Sequence, residues 1–412
     1  MSQRARLAAF LVVAGPGLVV MLADTDAGSV ITASQSGAQW GFKLLGLQLL
    51  LTPILFLVQE LTVRLGLFTG QGHGELIRKH FGRGWAWLSV STLVVSCLGA
   101  LITEMSGIAG VGALYGVPIW ASVLAMLGFL LAVVISGSYR SVERVAVALG
   151  LFELAFLFVA VVSHPNPPEM LNGLASIPLG DHSYLYLMAA NIGAVIMPWM
   201  IFFQQSAIVD KGLRSHHLKA ARWDTAIGAV FTQAIMAAIL ISVAATFGSS
   251  GDGTKLDSVQ QISQALTPYL GTETGRLVFS LGMLGASLVA AIVVSLTAAW
   301  GLGEVTGYKH SLEHHPREAP WFYLVFGVIL AASGLLVSSG ANLVNISVAV
   351  EVMNALLLPI VLGFLYVLAR RALPQAARLR GFYALIVAII IVITAGLGVC
   401  GGLSGLWTGL TS

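Results

Sequence analysis

The chain has 412 residues, 57% of them hydrophobic and only 9% charged, with a mean hydropathy of +0.89 and a formal net charge of +3. That balance excludes a water-soluble globular chain, and no nucleic-acid partner is expected. It predicts a single polytopic bundle of membrane helices in contact with lipid. The two cysteines, Cys97 and Cys400, both lie in apolar segments and supply neither a disulfide framework nor a metal-ligand pair.

Hydropathy predicts eleven spans, over residues 8–36, 43–66, 85–115, 118–138, 143–163, 183–208, 223–248, 270–303, 320–338, 341–369 and 378–402. No separate cleavable-looking segment precedes the first, which is expected to be retained. Forty-six glycines suit close helix packing in lipid. With the N-terminus cytoplasmic, all of the 21 basic residues fall on the inner side except Lys43, Lys255 and Arg276. This sorting sets the orientation and places the C-terminus outside. Topology alone accounts for these charges, without lipid-specific binding.

Span one carries a polar interruption, Asp24-Thr25-Asp26-Ala27-Gly28-Ser29. Carboxylates are expensive at membrane depth and persist there chiefly where they bind something. Gly15-Pro16-Gly17 weakens the approach to the break, and Gly28 is expected to permit a backbone turn that a larger residue would resist. Carbonyls freed by unwinding need partners, and a cation supplies one. Asp24 and Asp26 are two apart and point to different faces. Asp26 is the expected ion ligand, the alternative being a cap on the following half-helix. For Asp24 a structural cap or a vestibule charge is weighed ahead of ligation.

Further along, Glu60 and Arg64 have the spacing of a helical ion pair. His73, in the glycine-rich stretch Thr69–Gly74, and the later cluster His310, His314 and His315 are either metal ligands or, the commoner case, solvated loop histidines. Glu104 in span three is either a pathway group that relays protons or a packed, paired carboxyl. Glu153, in the middle of span five, has no local partner; an arginine elsewhere is one candidate to neutralise it.

Span six is interrupted at Ala194-Val195-Ile196-Met197-Pro198. Pro198 cannot donate to the helix ladder. The carbonyl of Ala194 is thereby exposed, and Met197 offers a thioether, a soft donor that prefers transition metals to Mg2+ or Ca2+. Asn191, one turn earlier, is expected to satisfy freed backbone. Glu351 in span ten either lines the outer pathway or serves as a structural partner.

The breaks open spans one and six, so two groups of five spans begin with the same device. Five is odd, and the second group is therefore inverted relative to the first. The expected architecture is all-α: residues 1–164 as a first five-helix repeat, 182–371 as the inverted second, and 376–403 as an additional helix. In this plan the substrate sits between the unwound parts of spans one and six.

These residues resemble the Nramp (natural resistance-associated macrophage protein) divalent-metal transporters. The Asp-Pro-Gly-Asn motif of that family matches Asp26-Ala27-Gly28-Ser29. Ala33-Ser34-Gln35-Ser36-Gly37-Ala38, Arg64-Leu65-Gly66 with Thr69-Gly70, and Gly193-Ala194-Val195-Ile196-Met197-Pro198 are similar to further family segments. The resemblance covers nearly the whole chain and implies a LeuT-like fold, import of divalent cations, and an ion framed by Asp26, Ser29, the Ala194 carbonyl and Met197. It implies no permanently bound cofactor, the metal being the cargo, and no obligatory protein partner.

Several positions depart from the family pattern. Ser29 stands for Asn and leaves room for a retained water, Ala27 for Pro, and Trp199 for the His that follows the span-six proline. Glu104 and Gly107 resemble the family's Glu and Gly of span three, but Leu101 stands where an Asp is expected. Glu351 stands where the family usually has Gln. Leu101 and Trp199 both replace members of the family's proton route. These departures resemble the Nramp-related branch that includes magnesium transporters. Mg2+ is hard and reluctant to lose water and suits a roomier site with oxygen ligands, Asp26, Ser29 and Glu351, whereas the retained Met197 favours Mn2+. The expectation is relaxed selectivity, with Mn2+ carried, Mg2+ as a second cargo, and weak or no proton coupling.

A cation-coupled amino-acid transporter of the same fold is the alternative. It requires a half-helix N-terminus open to a carboxylate, where this chain has Asp26. Neither a His-Glu-x-x-His set nor a nucleotide loop occurs, which argues against an intramembrane metalloenzyme and an ATP-driven pump.

Overall fold

Inside lipid a backbone must satisfy its own polar groups, so apolar runs of this length can only be helical. The computed structural model describes residues 15–135, 139–247, 253–309, 316–339 and 342–411, and every regular element among them is a helix. Span one is split into α1 (Pro16–Asp24) and α2 (Ala27–Trp40), and a 3-10 turn leads into α3 (Leu45–Thr69). After the short α4 (His73–Phe81) come α5 (Arg83–Leu114) and α6 (Ile119–Ile135). Span five consists of α7 (Tyr139–Gly150) and α8 (Leu154–Val162), joined by a 3-10 turn at Leu151–Glu153. The short α9 (Pro167–Ala175) precedes span six, which is split into α10 (His182–Val195) and α11 (Pro198–Asp210). Then follow α12 (Leu218–Phe247), the short α13 (Val259–Leu266), α14 (Thr272–Thr306), α15 (Pro320–Val337), α16 (Leu343–Arg371) and α17 (Gly381–Thr411).

Nine stretches among the described residues are long and apolar enough to cross a membrane. One of them, Ala27–Thr69, contains both α2 and α3, and the shorter Ile119–Val134 adds another, which recovers eleven spans. Hydropathy passes over α4, α9 and α13 because they are too short to register; α4 also carries Glu75, Arg78, Lys79 and His80.

The two broken spans lie at the centre of the bundle. α12 runs along α1, α2 and α3; α16 packs on α10, α5 and α2; α14 packs on α5, α1 and α11. Residues 24–29 and 194–198 are all buried. Large apolar side chains such as Trp120, Val161, Phe382 and Val392 face outward, as lipid contact requires.

His73 corrects the reading of a solvated loop histidine. It opens α4, is fully buried, meets Phe202 edge-on, and shares a 3.0 Å hydrogen bond between Nδ1 and Gln205 Oε1. Burial lowers its pKa from the usual 6.5 to about 4, so the folded state holds it neutral. Below pH 6.5 the unfolded chain binds a proton that the folded chain refuses. Stability contributed by His73 is therefore complete above pH 6.5 and is lost as pH falls toward 4. In melting curves from pH 7 to 4.5, His73→Gln should flatten the acid loss of stability by about 2–3 kcal/mol; an unchanged slope would contradict this assignment. His310, His314 and His315, and the N-terminal Arg4 and Arg6, lie outside the described residues.

Candidate functional site

Only Thr25 and Asp26 leave the helical path in span one, a shorter break than the six-residue polar segment suggested. Asp26 is extended, and its Oδ1 accepts the Ser29 N–H at 2.7 Å, capping α2. The Ala27 N–H, another orphan of this helix start, donates to Glu104 Oε2 at 3.2 Å. Asp26 Oδ2 has no hydrogen-bond partner. The cap reading is met by Oδ1, and Oδ2 is left over.

The role expected of Gly28 is corrected. It lies in the first turn of α2 and has no positive φ. Its missing Cβ instead makes room for Glu351, whose Oε1 would overlap a methyl group placed there.

In span six, α10 ends at Val195 and α11 starts at Pro198, which at the first helical position needs no N–H. The Ser29 hydroxyl donates to the Ala194 carbonyl at 3.0 Å and joins the two breaks directly. Trp199 Nε1 donates to Met197 Sδ at 3.1 Å, so the thioether is engaged by the residue two places on. Gly193 lets α16 approach so closely that a Cβ on it would overlap the Glu351 carbonyl oxygen. Glu351 Oε2 accepts from Asn354 at 3.1 Å, while Oε1 has no partner.

Asp26, Ser29, Ala194 and Glu351 are therefore gathered at the crossing of the breaks, and Met197 lies in the second break. Glu351 sits at this crossing rather than on an outer path. Asp24 is neither a helix cap nor a vestibule charge. It ends α1, fully buried, with Oδ2 accepting from Thr232 at 3.4 Å and Oδ1 unpartnered. Asn191 does not serve freed backbone; it donates to Ser36 Oγ at 2.8 Å and to Leu187 O of its own helix at 2.7 Å. Glu60 does pair with Arg64, at 2.7 Å, and also with Arg222 at 2.6 Å.

Asp24, Asp26, Glu104 and Glu351 are all buried, and among the described residues none has a Lys or Arg partner. Uncompensated buried charge is costly, so the crossing requires protons or a cation. Among the described residues no three His, Cys, Asp or Glu side chains converge as a metal cluster. A cation here would therefore draw on the carbonyl, hydroxyl and thioether as well as the carboxylates.

The crossing is closed at both ends. Toward Gly15, the Gly15 and Gly17 N–H groups donate to Asp224 Oδ2 at 3.2 and 2.8 Å, and Lys211 pairs with Glu143 at 2.9 Å. Toward Trp40, Gln35 Nε2 donates to the Leu256 carbonyl, and its Oε1 accepts the Leu256 N–H at 3.2 Å.

The two glycines should respond differently to alanine. At Gly28 the obstruction is the end of a flexible side chain, so Gly28→Ala should displace Glu351 and weaken ion binding with little effect on melting temperature. At Gly193 it is backbone, so Gly193→Ala should cost about 3 kcal/mol. Thermal unfolding of both variants checks this, and equal losses would contradict it.

Sequence reasoning missed the Trp199–Met197 bond and the place of Thr232. Neither is signalled by periodicity: the first depends on the rotamers of two residues at the start of one half-helix, the second on how α12 faces the end of α1.

Residues 17–404 match the family model described as natural resistance-associated macrophage protein-like. The divalent metal cation transporter MntH of Klebsiella pneumoniae is 28% identical over 306 residues, 72% of each chain. Among solved structures, the Eremococcus coleocola manganese transporter in complex with an aromatic bis-isothiourea compound aligns with a TM-score of 0.80 at 19% identity, covering 99% of this chain and 90% of that one. MhsT in complex with L-phenylalanine aligns with a TM-score of 0.63 at 14% identity, covering 95% and 98%. At these identities the structural likeness concerns the fold, which is LeuT-like with spans one and six broken.

Proposed function

The chain belongs to the natural resistance-associated macrophage protein-like (Nramp) family, and from that membership we propose that this multi-pass membrane protein carries divalent metal cations by alternating access. One observation supports the location of the ion above all: the Ser29–Ala194 bond joins the two helix breaks, with unpartnered oxygens of Asp26 and Glu351 beside it. The ligands are Asp26 Oδ2, the lone pairs of Ser29 Oγ, the Ala194 carbonyl, Glu351 Oε1 and the Met197 sulfur.

This set is mostly hard oxygen, with one soft donor restrained by the Trp199 indole. It suits Mn2+ and admits Mg2+ with some of its water retained. Leu101 and Trp199 do not titrate, so metal movement is not tied to protons through them. Spans one (α1 and α2) and six (α10 and α11) rearrange against the rest of the bundle, opening first the Gln35–Leu256 end and then the Gly15–Asp224 end. The N-terminus is cytoplasmic, the C-terminus extracellular, and residues 1–164 and 182–371 are the inverted repeats, with 376–403 outside them. The protein works without a bound cofactor or an obligatory protein partner, and it is not an enzyme.

Proteoliposomes test this reading. Saturable Mn2+ uptake should be inhibited by excess Mg2+, with no lumen acidification beyond the leak. Mn2+ flux indifferent to Mg2+ removes magnesium from the cargo, and metal-driven acidification contradicts uncoupled transport. An amino-acid substrate is disfavoured, because its carboxylate would meet Asp26 and Glu104 at the start of α2.

A further inference from the structure

Glu153 is the least explained group in the molecule. It is fully buried in the 3-10 turn that interrupts span five; the Thr25 hydroxyl lies beside its carboxylate outside good hydrogen-bond geometry, and neither oxygen has another partner among the described residues. No Lys or Arg among the described residues pairs with it. The arginine partner considered from sequence is thus not found among them.

Two glycine contacts fix what Glu153 faces. Gly150 abuts the Leu22 side chain of α1, so three residues further along each chain Glu153 comes beside Thr25. Gly228 of α12 abuts Met21, and four residues further along each, Thr232 Oγ1 meets Thr25 Oγ1 at 2.6 Å. Thr232 also reaches Asp24 Oδ2 at 3.4 Å, and Asp24 Oδ1 is unpartnered. Three segments therefore deliver two carboxylates and two hydroxyls to one buried junction. This junction neighbours the crossing but has its own partners: Asp24 and Thr25 bond to Thr232 of α12, whereas Asp26, Ala27 and Ser29 bond within α2, to Glu104 and to the Ala194 carbonyl.

We propose that Asp24, Thr25, Glu153 and Thr232 form a second cation site, selective for a hard, oxygen-seeking ion and distinct from the crossing that holds the transported metal. The four side chains donate through oxygen alone, which is the donor set of alkali and alkaline-earth ions, and the Gln233 amide also faces Asp24. Two buried carboxylates without a cationic side chain supply the charge that such an ion balances. An ion there ties the end of α1 to span five and to α12. The inference stands whichever metal the crossing carries.

Thermal unfolding of the purified full chain in detergent tests it, using chloride salts of Na+, Li+, K+, Mg2+ and Ca2+ against choline chloride at matched ionic strength. At least one of these cations should raise the melting temperature by about 2 °C or more. That rise should persist in Asp26→Ala and vanish in Glu153→Gln, which keeps the volume of the side chain, and in Thr232→Ala. Salts no better than choline overturn the proposal. So does a rise that survives Glu153→Gln, or one that is lost in Asp26→Ala, which places the ion at the crossing. Failure of Mn2+ uptake in wild type would instead count against the transport reading alone.

Discussion

Asp26→Asn leaves the protein folded and reduces Mn2+ uptake to the leak of empty vesicles. The amide oxygen of Asn can still accept the Ser29 N–H, so the 2.7 Å cap survives. What disappears is the charge on Oδ2, the unpartnered oxygen that faces the crossing. Removing a charged ligand should weaken metal affinity by more than the roughly 10–100-fold seen when supporting groups around a metal are lost. Asp26→Ala removes cap and charge together and should cost about 1 kcal/mol more in stability. Calorimetry of Mn2+ binding, with melting curves of both variants, separates the two roles. Near-normal binding by Asp26→Asn would remove Asp26 from the ligand set.

Trp199→Phe should move ion preference toward soft metals. In the structure the indole N–H donates to the Met197 sulfur at 3.1 Å, occupying electron density that a metal would otherwise share. Phenylalanine keeps an aromatic ring in the buried space but frees the sulfur. The ratio of Cd2+ or Mn2+ affinity to Mg2+ affinity should then rise about tenfold, equivalent to ~1.4 kcal/mol. Met197→Ala should shift the ratio the other way, because only oxygen ligands remain. In the double variant the Trp199 effect should disappear, since the sulfur it acts on is gone. An equal change in Trp199→Phe alone and in the double variant would show that the indole acts by packing rather than through the thioether.

Sequence patterns made the membrane character, the eleven spans and the two helix breaks legible, because each follows from local rules. Apolar length, Pro198 and carboxylates at membrane depth need no knowledge of neighbours. Asp26 was legible for the same reason. Its two oxygens differ: Oδ1 caps α2, and Oδ2 has no partner. Gly28 was found for the wrong reason: its conspicuous position pointed to the turn, whereas a side chain 323 residues away in sequence is what needs the space.

Local rules yield the inventory: apolar helices, two interruptions, and a set of acids within apolar segments with few basic residues near them. The tertiary structure alone decided which acids meet which breaks. It placed Glu351 over Gly28, brought Ser29 to Ala194, aimed Trp199 at Met197, and set Glu153 beside Thr25 rather than an arginine. The physical reason is that helix periodicity assigns a side chain to a face, while only close packing, set here by glycines at 28, 150, 193 and 228, decides what that face touches.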